Sequence, residues 1–525
     1  MKRPFLLPLL LGSLALGIPS PASAQSQRTR AEPPSSRGWP FGPTAADPTS
    51  PLTWGMDLYN LGILGAKGWD ADRPEPKPRT SEEPRMIRSK GRGSDTGPAR
   101  FRIKAIFPGG PADRAGLQLG DILVEVGGRS LAKDSLATIA KILTRAETTR
   151  GRGRVTLTVE RGGARVKLKA EIPHGGRELT RPYEGKGRGT LLRRALDWLG
   201  DRQEKGGFAP TMCGRNGAVV MTCLAGLAWL SSGSSCQEGP YRKNLQSAYT
   251  FVARELTAAD SAAVRRWRGV SWDQTNWAYA HAGIFLGELH TAGPDPGIRR
   301  VLQKIATVLL ARQEGSGGYA HGPGGVNAQG YLELNILAGF VLSALGLARR
   351  AGCAVDQARV DRLMSYLEAS SAGGGVGYST RPGQQGWANI GRTAGAWLGA
   401  RALGMGRRDF VRRMEKWTRD HVHDVLGGHA TLMQHILLAG VAARALGSKA
   451  TQTYWKALRR DFTLARAPDG SFQPRPWHES LLTGNNNDVN MGQVWTTASW
   501  AIVLGAGRHE DRQEGLPGWT GRGTE

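Results

Sequence analysis

The sequence predicts a multidomain protein in which a small α+β domain is followed by an all-α toroid of about six helical hairpins. A pair of small residues recurs six times within apolar helical stretches. Subtracting successive alanine numbers gives spacings of 57, 56, 56, 45 and 59 residues, enough for two helices and their turns. A strand-rich segment before these repeats predicts the smaller domain. The six pairs are Ala225-Gly226, Ala282-Gly283, Ala338-Gly339, Ala394-Gly395, Ala439-Gly440 and Ala498-Ser499.

The small pairs also predict how the helices are arranged. A glycine inside a helix costs up to about 1 kcal/mol relative to alanine. Its recurrence is reasonable where neighbouring helices pack around an axis and their backbones come close. We therefore expect the six helices that carry the pairs to form the inner ring of the toroid.

The N-terminus has the pattern of a secretory signal. Lys2 and Arg3 precede an apolar run at 5–18, and small residues at Ala22 and Ala24 predict cleavage before Gln25. The run is too short for a permanent bilayer anchor. We expect an exported protein, periplasmic or extracellular, with no transmembrane anchor in the mature chain.

Composition shifts predict the remaining boundaries. The predicted segments are a signal peptide at 1–24, a disordered linker at 25–55, a small domain at 56–173 with a polar insertion at about 73–98, a linker at 174–188, the toroid at 189–507 and a disordered tail at 508–525.

The formal net charge of +26 bears on partners. It favours an anionic polysaccharide or envelope polymer, while an Arg-rich composition spread over the surface is the alternative. Nucleic acid is not expected, because an exported chain here lacks a basic-aromatic strip or a recognisable motif. Four cysteines leave room for one disulfide among Cys213, Cys223 and Cys236, with its pairing open.

The small domain carries a fairly specific motif. A Pro108-Gly109-Gly110-Pro111-Ala112 turn precedes Gly120-Asp121-Ile122-Leu123. This resembles a PDZ domain of the bacterial export-compartment type. The resemblance implies capture of a protein C-terminus as an added strand, with Leu61, Gly62 and Ile63 as the carboxylate loop. That triad lies nearly forty residues before the matching strand, so a docking or spacer role stays open.

The repeats share a second motif, in which a glutamine is followed by a glycine pair and an aromatic residue, as in Gln313 and Gly317-Gly318-Tyr319. We expect the aromatic to fill the space between the helix layers. These turns resemble those of the terpenoid-cyclase and prenyltransferase toroid superfamily over about 190–505. The Asp-x-Asp-Asp motif and the zinc ligands of its enzymes are not recognisable, so the resemblance implies only the fold. The whole layout also resembles an uncharacterised class of exported bacterial proteins.

A polar stripe on the inner helices predicts where a site lies. Positions nine, five and one before each alanine share one helix face, and eleven of these eighteen residues are polar. Burying them unpaired would cost about 1–3 kcal/mol per group, which favours a polar lumen, although interhelical hydrogen bonds are the alternative. The eleven are Asn216, Asp273, His281, Gln329, Glu333, Gln385, Asn389, Thr393, Gln434, Gln493 and Thr497.

Two catalytic chemistries fit this stripe. Asp273 and Glu333 would act as the acid and base of a glycoside hydrolase, with Trp277 stacking on a sugar. His281 and Asn389, together with Arg392, would instead suit a polysaccharide lyase that neutralises a uronate and moves its α-proton, with Tyr279 or Tyr319 as the acid. The predicted substrate-binding residues are Trp277, Gln329, Gln385, Arg392, Gln434, Gln493, Tyr279 and Tyr319.

Three functions therefore stay open: a carbohydrate-active toroid, a non-catalytic scaffold whose PDZ-like domain recruits a partner, and an isoprenoid- or lipid-active toroid. Protease activity is disfavoured because neither Gly-x-Ser-x-Gly nor His-Glu-x-x-His occurs. No cofactor or metal is predicted, since the histidines between 421 and 435 match no established metal spacing. They are His421, His423, His429 and His435.

Overall fold

The computed structural model describes residues 58–73, 97–174, 185–208, 214–257, 274–323, 333–428, 431–474, 487–505 and Trp519. The predicted signal peptide, the 25–55 linker, most of the polar insertion and nearly all of the tail lie outside these residues.

The N-terminal part is a small β-rich PDZ domain. Its antiparallel strands run in the order β1-β2-β3-β4-β6-β7, and β5 pairs with β4. Apolar residues alternate along β3, whose buried side chains meet the amphipathic helix α2 in one core. Its elements are β1 (Tyr59–Asn60), a 3-10 turn (Gly62–Leu64), β2 (Ala66–Asp70), β3 (Phe101–Ile106), α1 (Pro111–Arg114), β4 (Ile122–Val126), β5 (Arg129–Ser130), α2 (Ser135–Ala146), β6 (Arg154–Arg161) and β7 (Ala164–Glu171).

The C-terminal part is an all-helical toroid. Its outer helices are α3 (Gly185–Asp201), α5 (Arg242–Thr257), α7 (Pro296–Ala311), α9 (Gln357–Ala369), α11 (Asp409–His421) and α13 (Ser448–Ala465). Its inner helices are α4 (Gly214–Ser231), α6 (Thr275–Ala292), α8 (Asn335–Arg350), α10 (Ile390–Ala402), α12 (Leu432–Ala445) and α14 (Asn487–Gly505). A short hairpin, β8 (Ser371–Ala372) and β9 (Gly375–Val376), follows α9, and a 3-10 turn (Val425–Gly427) follows α11.

The inner helices form a closed ring. Each contacts the next in chain order, and α14 closes the ring against α4. They run parallel: Gly283 and Gly287 of α6 face Ala344 and Leu347 of α8 in the same order. Every outer helix packs on the inner layer. The predicted toroid is therefore confirmed.

The small pairs do what their recurrence predicts. A Cβ added to Gly339 would lie 2.7 Å from the backbone carbon of Gly395 on the next inner helix. That distance is shorter than any ordinary carbon contact, so only glycine permits this approach. The two pairs thus bring α8 and α10 into direct backbone contact, as expected for inner helices around a common axis.

The PDZ domain docks on the toroid through α13 and the turn that follows it. Leu464 belongs to the apolar core of the PDZ domain. Arg466 donates through two guanidinium nitrogens to the two oxygens of Glu147, at 2.6 and 2.7 Å, and both side chains are almost fully buried. The two domains therefore share an apolar contact and a buried ion pair.

Two details differ from the sequence-based expectations. Helix α3 begins at Gly185, inside the segment predicted as a linker. Glu333, Gln385 and Asn389 precede α8 and α10, so they lie in loops and not on a helix face. The reason for α10 is local: the Asn389 side chain accepts a hydrogen bond from the Arg392 N–H, which caps the helix and fixes its start.

Two absences concern only the described residues. Cys223, Cys236 and Cys353 are free thiols there, while Cys213 lies outside. Among the helices that the structure describes, none is both long and apolar enough to cross a membrane.

Candidate lumen site

Helix α6 positions the central pair of the site, Trp277 and His281. They are one turn apart on the same face, and the His281 ring nitrogen Nδ1 lies 2.8 Å from the Trp277 carbonyl oxygen. His281 is 1% exposed, and its ring stacks on Phe340 of α8 with centroids 4.5 Å apart. The imidazole is therefore held between two inner helices.

A second histidine reaches the same tryptophan from a turn. His321 follows the Gly317-Gly318-Tyr319 turn after α7, and the Trp277 indole N–H donates to its Nδ1 at 2.9 Å. The Trp277 and His321 rings are 6.0 Å apart. Trp277 thus touches both histidines, through its carbonyl on one side and its indole on the other.

These contacts assign opposite tautomers to the two imidazoles. A carbonyl oxygen only accepts, so Nδ1 of His281 carries the proton and Nε2 holds a lone pair. An indole N–H only donates, so Nδ1 of His321 accepts and its Nε2 carries the proton when the ring is neutral. Burial lowers the pKa of His281 to about 4, against an opposing effect of the Trp277 carbonyl. Burial also lowers the pKa of His321 to about 4. Both rings are therefore neutral near pH 7.

His281 Nε2 has no hydrogen-bond partner among the described residues. Buried polar atoms without a partner are few in native proteins, and each one requires an explanation. A lone pair that points away from solvent and is not protonated at neutral pH suits a proton acceptor. Trp277 therefore lies between two neutral imidazoles of opposite tautomer, and the lone pair of His281 Nε2 is the acceptor that has no partner among the described residues.

Trp519, far along the chain, also enters the ring. Its backbone N–H donates to Glu288 Oε1 at 2.7 Å, and Arg444 Nη2 donates to its backbone carbonyl at 3.3 Å. The centroid of its indole lies 5.6 Å from that of the Phe340 ring. Glu288 belongs to α6 and Arg444 to α12, so three separate inner helices contact this residue.

The predicted catalytic residues are not all brought together. Glu333 accepts a hydrogen bond from the Ser316 hydroxyl at 2.6 Å. Burial, together with the charge of Glu333, raises the pKa of Tyr366 on the outer helix α9. These partners lie on the turns and the outer layer, whereas those of His281 lie on inner helices. Asp273 and Gln329 lie outside the described residues, so the carboxylate pair stays a prediction.

Asn389 and Arg392 lie at the start of α10. Asn389 serves as the cap described above. Arg392 is 5% exposed, donates to the Trp387 carbonyl and lies 5.2 Å from the Tyr378 ring centroid. Burial lowers its pKa to about 10, so it stays charged at neutral pH, and its Nε has no partner among the described residues. A buried, charged guanidinium with one N–H left without a partner at the start of a helix can bind an anionic group, as the uronate hypothesis requires.

The other predicted substrate-binding residues have mostly structural contacts. Gln385 donates to the Thr380 carbonyl, Gln434 accepts from the Thr431 hydroxyl, and Gln493 donates to the Gln473 side chain. The Arg312 guanidinium lies 4.6 Å from the Tyr279 ring.

Tyr319 lies between the helix layers, as its turn motif predicted. It is fully buried, and its hydroxyl donates to the Leu309 carbonyl of the outer helix α7 at 3.0 Å. Burial raises its pKa well above the usual range. With the hydroxyl committed to this bond, the contacts of Tyr319 are those of a structural residue.

The described histidines between 421 and 435 do not lie together, and His429 is outside the described residues. His421 stacks on Trp417 and His423 pairs with Asp424 on the surface, whereas His435 is buried beside Gly391. Within the described ranges, no three His, Cys, Asp or Glu side chains converge on a point that would hold a metal ion.

The predicted peptide-binding triad lies at the domain interface. Leu61, Gly62 and Ile63 are buried, and a Cβ added to Gly62 would lie 2.9 Å from the Thr463 carbonyl oxygen of α13. The neighbouring Gly65 faces Pro468 in the same way. The toroid therefore occupies the space beside this loop.

Sequence reasoning missed His321, Phe340, Glu288, Arg444 and Trp519. A signal for His321 was present, because it follows the glycine-aromatic turn by two residues. Glu288 lies seven residues after His281 and hence on the same helix face. No local signal marks Trp519, which reaches the ring from a segment predicted as a disordered tail.

The fold and the site define the class: a PDZ domain followed by an α/α toroid. Residues 102–161 match the PDZ domain family, and residues 190–505 match a family described as a domain of unknown function (DUF6288). The second match covers more than half of the chain, so this protein belongs to that family.

Two solved structures are similar at a distance. Cellobiose 2-epimerase from Spirochaeta thermophila DSM 6192 is 16% identical, with a TM-score of 0.41, over 62% of this chain and 97% of its own. A type II terpene cyclase from Scytonema, in complex with geranylgeranyl dihydroxybenzoate, is 12% identical, with a TM-score of 0.37, over 61% of this chain and 96% of its own. No curated protein sequence matches this chain.

Proposed function

We propose that this protein is an exported, carbohydrate-active enzyme that moves a proton on a sugar carbon inside the toroid. The observation that carries the proposal is the pair of neutral histidines in opposite tautomers that Trp277 holds, one through its carbonyl and one through its indole. Nε2 of the buried His281 has no partner among the described residues, so it can meet a ligand. The buried Nε–H of Arg392, which has no partner among the described residues, supports a substrate with a carboxylate or another anionic group.

The chemistry follows from the tautomers. His281 Nε2 takes the proton from the carbon next to a carbonyl or carboxylate; the C–H bond breaks, an N–H bond forms, and the electron pair passes to the carbonyl oxygen. His321, which the indole of Trp277 positions, is the candidate residue to stabilise the oxygen that gains charge. Return of a proton to the opposite face inverts the carbon, whereas loss of a neighbouring substituent gives an unsaturated sugar. Trp277 acts as a positioning residue for both rings.

Deuterium exchange tests this reaction directly. Wild-type protein is incubated in D2O with reducing oligosaccharides and with uronate-containing polysaccharides, and mass spectrometry measures deuterium at carbon. We expect incorporation that His281→Gln reduces by at least about 100-fold, the usual contribution of a general base. His435→Gln is the matched control, because His435 is an equally buried inner-helix histidine outside the cluster. Exchange that survives in His281→Gln would overturn the proposal, as would hydrolysis without any exchange.

The PDZ domain favours a docking role within the chain. Its predicted carboxylate loop is covered by the Thr463 to Pro468 segment of the toroid. We infer that it braces the toroid and that recruiting a partner C-terminus would require displacement of this segment. Fluorescent peptides with free C-termini, titrated against wild type and Leu464→Asp, test this. Tight binding to wild type would refute it, and binding only to the variant would support it.

A further inference from the structure

Trp519 is held at the ring by helices on opposite sides. Following the ring order α4, α6, α8, α10, α12, α14, the helices α6 and α12 face each other across the axis. Glu288 of α6 accepts the Trp519 N–H, and Arg444 of α12 donates to the Trp519 carbonyl. Trp519 itself is 4% exposed. Because helices on opposite sides of the ring both bond to Trp519, this residue lies within the ring.

The contacts also show at which end it lies. The inner helices run parallel, and Glu288 and Arg444 occupy the last turns of α6 and α12. The Trp519 indole contacts Phe340, and the Phe340 ring in turn stacks on the His281 ring at 4.5 Å. From the C-terminal end of the ring inward, the order is therefore Trp519, Phe340, His281.

The burial of Glu288 and Arg444 explains why Trp519 would occupy the position between them. Glu288 is 1% exposed, and burial lowers the pKa of Arg444 to about 10, which leaves it charged at neutral pH. Removing such groups from water is costly unless hydrogen bonds replace the lost hydration. The peptide groups of Trp519 supply one bond to each charge, and its indole covers the apolar face of Phe340.

We propose that Trp519 closes the C-terminal end of the lumen and makes the histidine site a blind pocket. A substrate then enters and leaves only past the N-terminal ends of the inner helices. Such a pocket accepts the end of a saccharide and excludes internal segments of a polymer, which would have to thread through the ring. The preference for the end of a saccharide rests on the proposed function, whereas the position of Trp519 in the ring does not.

Two measurements on the full-length protein separate these parts. Hydrogen exchange followed by mass spectrometry reports on the amide of Trp519. We expect it to be protected at least about 100-fold relative to an unstructured chain. The protection should be lost in Glu288→Ala, which removes the acceptor of the Trp519 backbone N–H, and reduced in Arg444→Met, which removes the bond to the Trp519 carbonyl. Trp387→Ala is the control, because Trp387 is 60% exposed and should leave this protection unchanged. Unprotected exchange in the wild type would overturn the seating itself.

The second measurement is chain-length preference. The ratio of kcat/KM for a disaccharide to that for a long polymer is compared in wild type, Trp519→Ala and Trp519→Phe. We expect Trp519→Ala to lower the ratio at least about tenfold, while the phenylalanine variant keeps it. An unchanged ratio with a protected tail would refute the blind pocket. A protected Trp519 amide in a protein without any carbohydrate activity would refute the proposed function and support the position of Trp519 in the ring.

Discussion

The domain interface and the centre of the ring both bury polar groups, but they treat them differently. At the interface, Arg466 and Glu147 neutralise each other through two guanidinium nitrogens and both carboxylate oxygens, and only Arg466 Nε is left without a partner among the described residues. In the ring, His281 Nε2 and Arg392 Nε have no partner among the described residues. A buried ion pair is suited to a contact whose role is to keep two domains together. Burial of a polar atom without a partner is costly for stability, and under the proposed function a bound substrate offsets that cost at His281 and Arg392.

The largest effect is expected from breaking the interface pair. Glu147→Ala would leave the Arg466 guanidinium buried without its carboxylate, which costs about 3–5 kcal/mol. The measurement is the free energy of unfolding from urea titration, followed by probes in each domain. We expect the PDZ domain and α13 to lose stability together.

The double variant Glu147→Leu with Arg466→Met sharpens this test. It replaces the ion pair with apolar groups of similar size, so it should recover most of the loss. A single variant as stable as the wild type would show that the interface does not depend on the pair.

The second effect comes from the ring centre and depends on pH. His281 and His321 have pKa values lowered to about 4 in the folded protein, from about 6.5 when unfolded. The unfolded chain then binds more protons between pH 4 and 6.5, so stability falls as pH falls through this window. Each histidine contributes on the order of 3 kcal/mol.

Urea titrations from pH 4.5 to pH 7 measure this dependence. His281→Gln should remove about half of it, whereas His423→Gln, at an exposed position, should leave it intact. An identical pH dependence in wild type and His281→Gln would contradict the buried, neutral assignment.

A third, smaller effect probes the wall of the ring. Gly339→Ala places a methyl group against the Gly395 backbone, and we expect a loss of about 1–3 kcal/mol from overpacking. Gly189→Ala is the matched control in helix α3, where nothing lies within 4 Å of the added methyl, and it should gain up to about 1 kcal/mol. Thermal melts of both variants give the comparison. Equal shifts would show that the inner helices separate freely.

The smallest effect concerns Asn389, for which the sequence predicted catalysis and the structure shows a cap. Asn389→Ala should lower the stability by about 1 kcal/mol through loss of the bond to the Arg392 N–H. We expect deuterium exchange on sugar to persist in this variant. Loss of exchange with an unchanged melt would support the predicted catalytic role of Asn389.

The sequence by itself determined the two-domain layout and the ring. The period of the small pairs and the Pro-Gly turn before Gly120-Asp121 are local patterns, and each reports directly on the element that carries it. The stripe on the inner helices located Trp277 and His281 for the same reason. It failed for Glu333 and Gln385, because helix starts depend on capping contacts that a spacing pattern does not contain.

Only the tertiary structure decided what surrounds His281. His321 meets Trp277 across 44 positions, Trp519 meets Glu288 across 231, and Arg466 meets Glu147 across 319. Such contacts depend on the paths of connecting segments and on the side-chain directions of separate helices. Helical periodicity encodes which residues share a face, but it does not say which distant residue will cover that face.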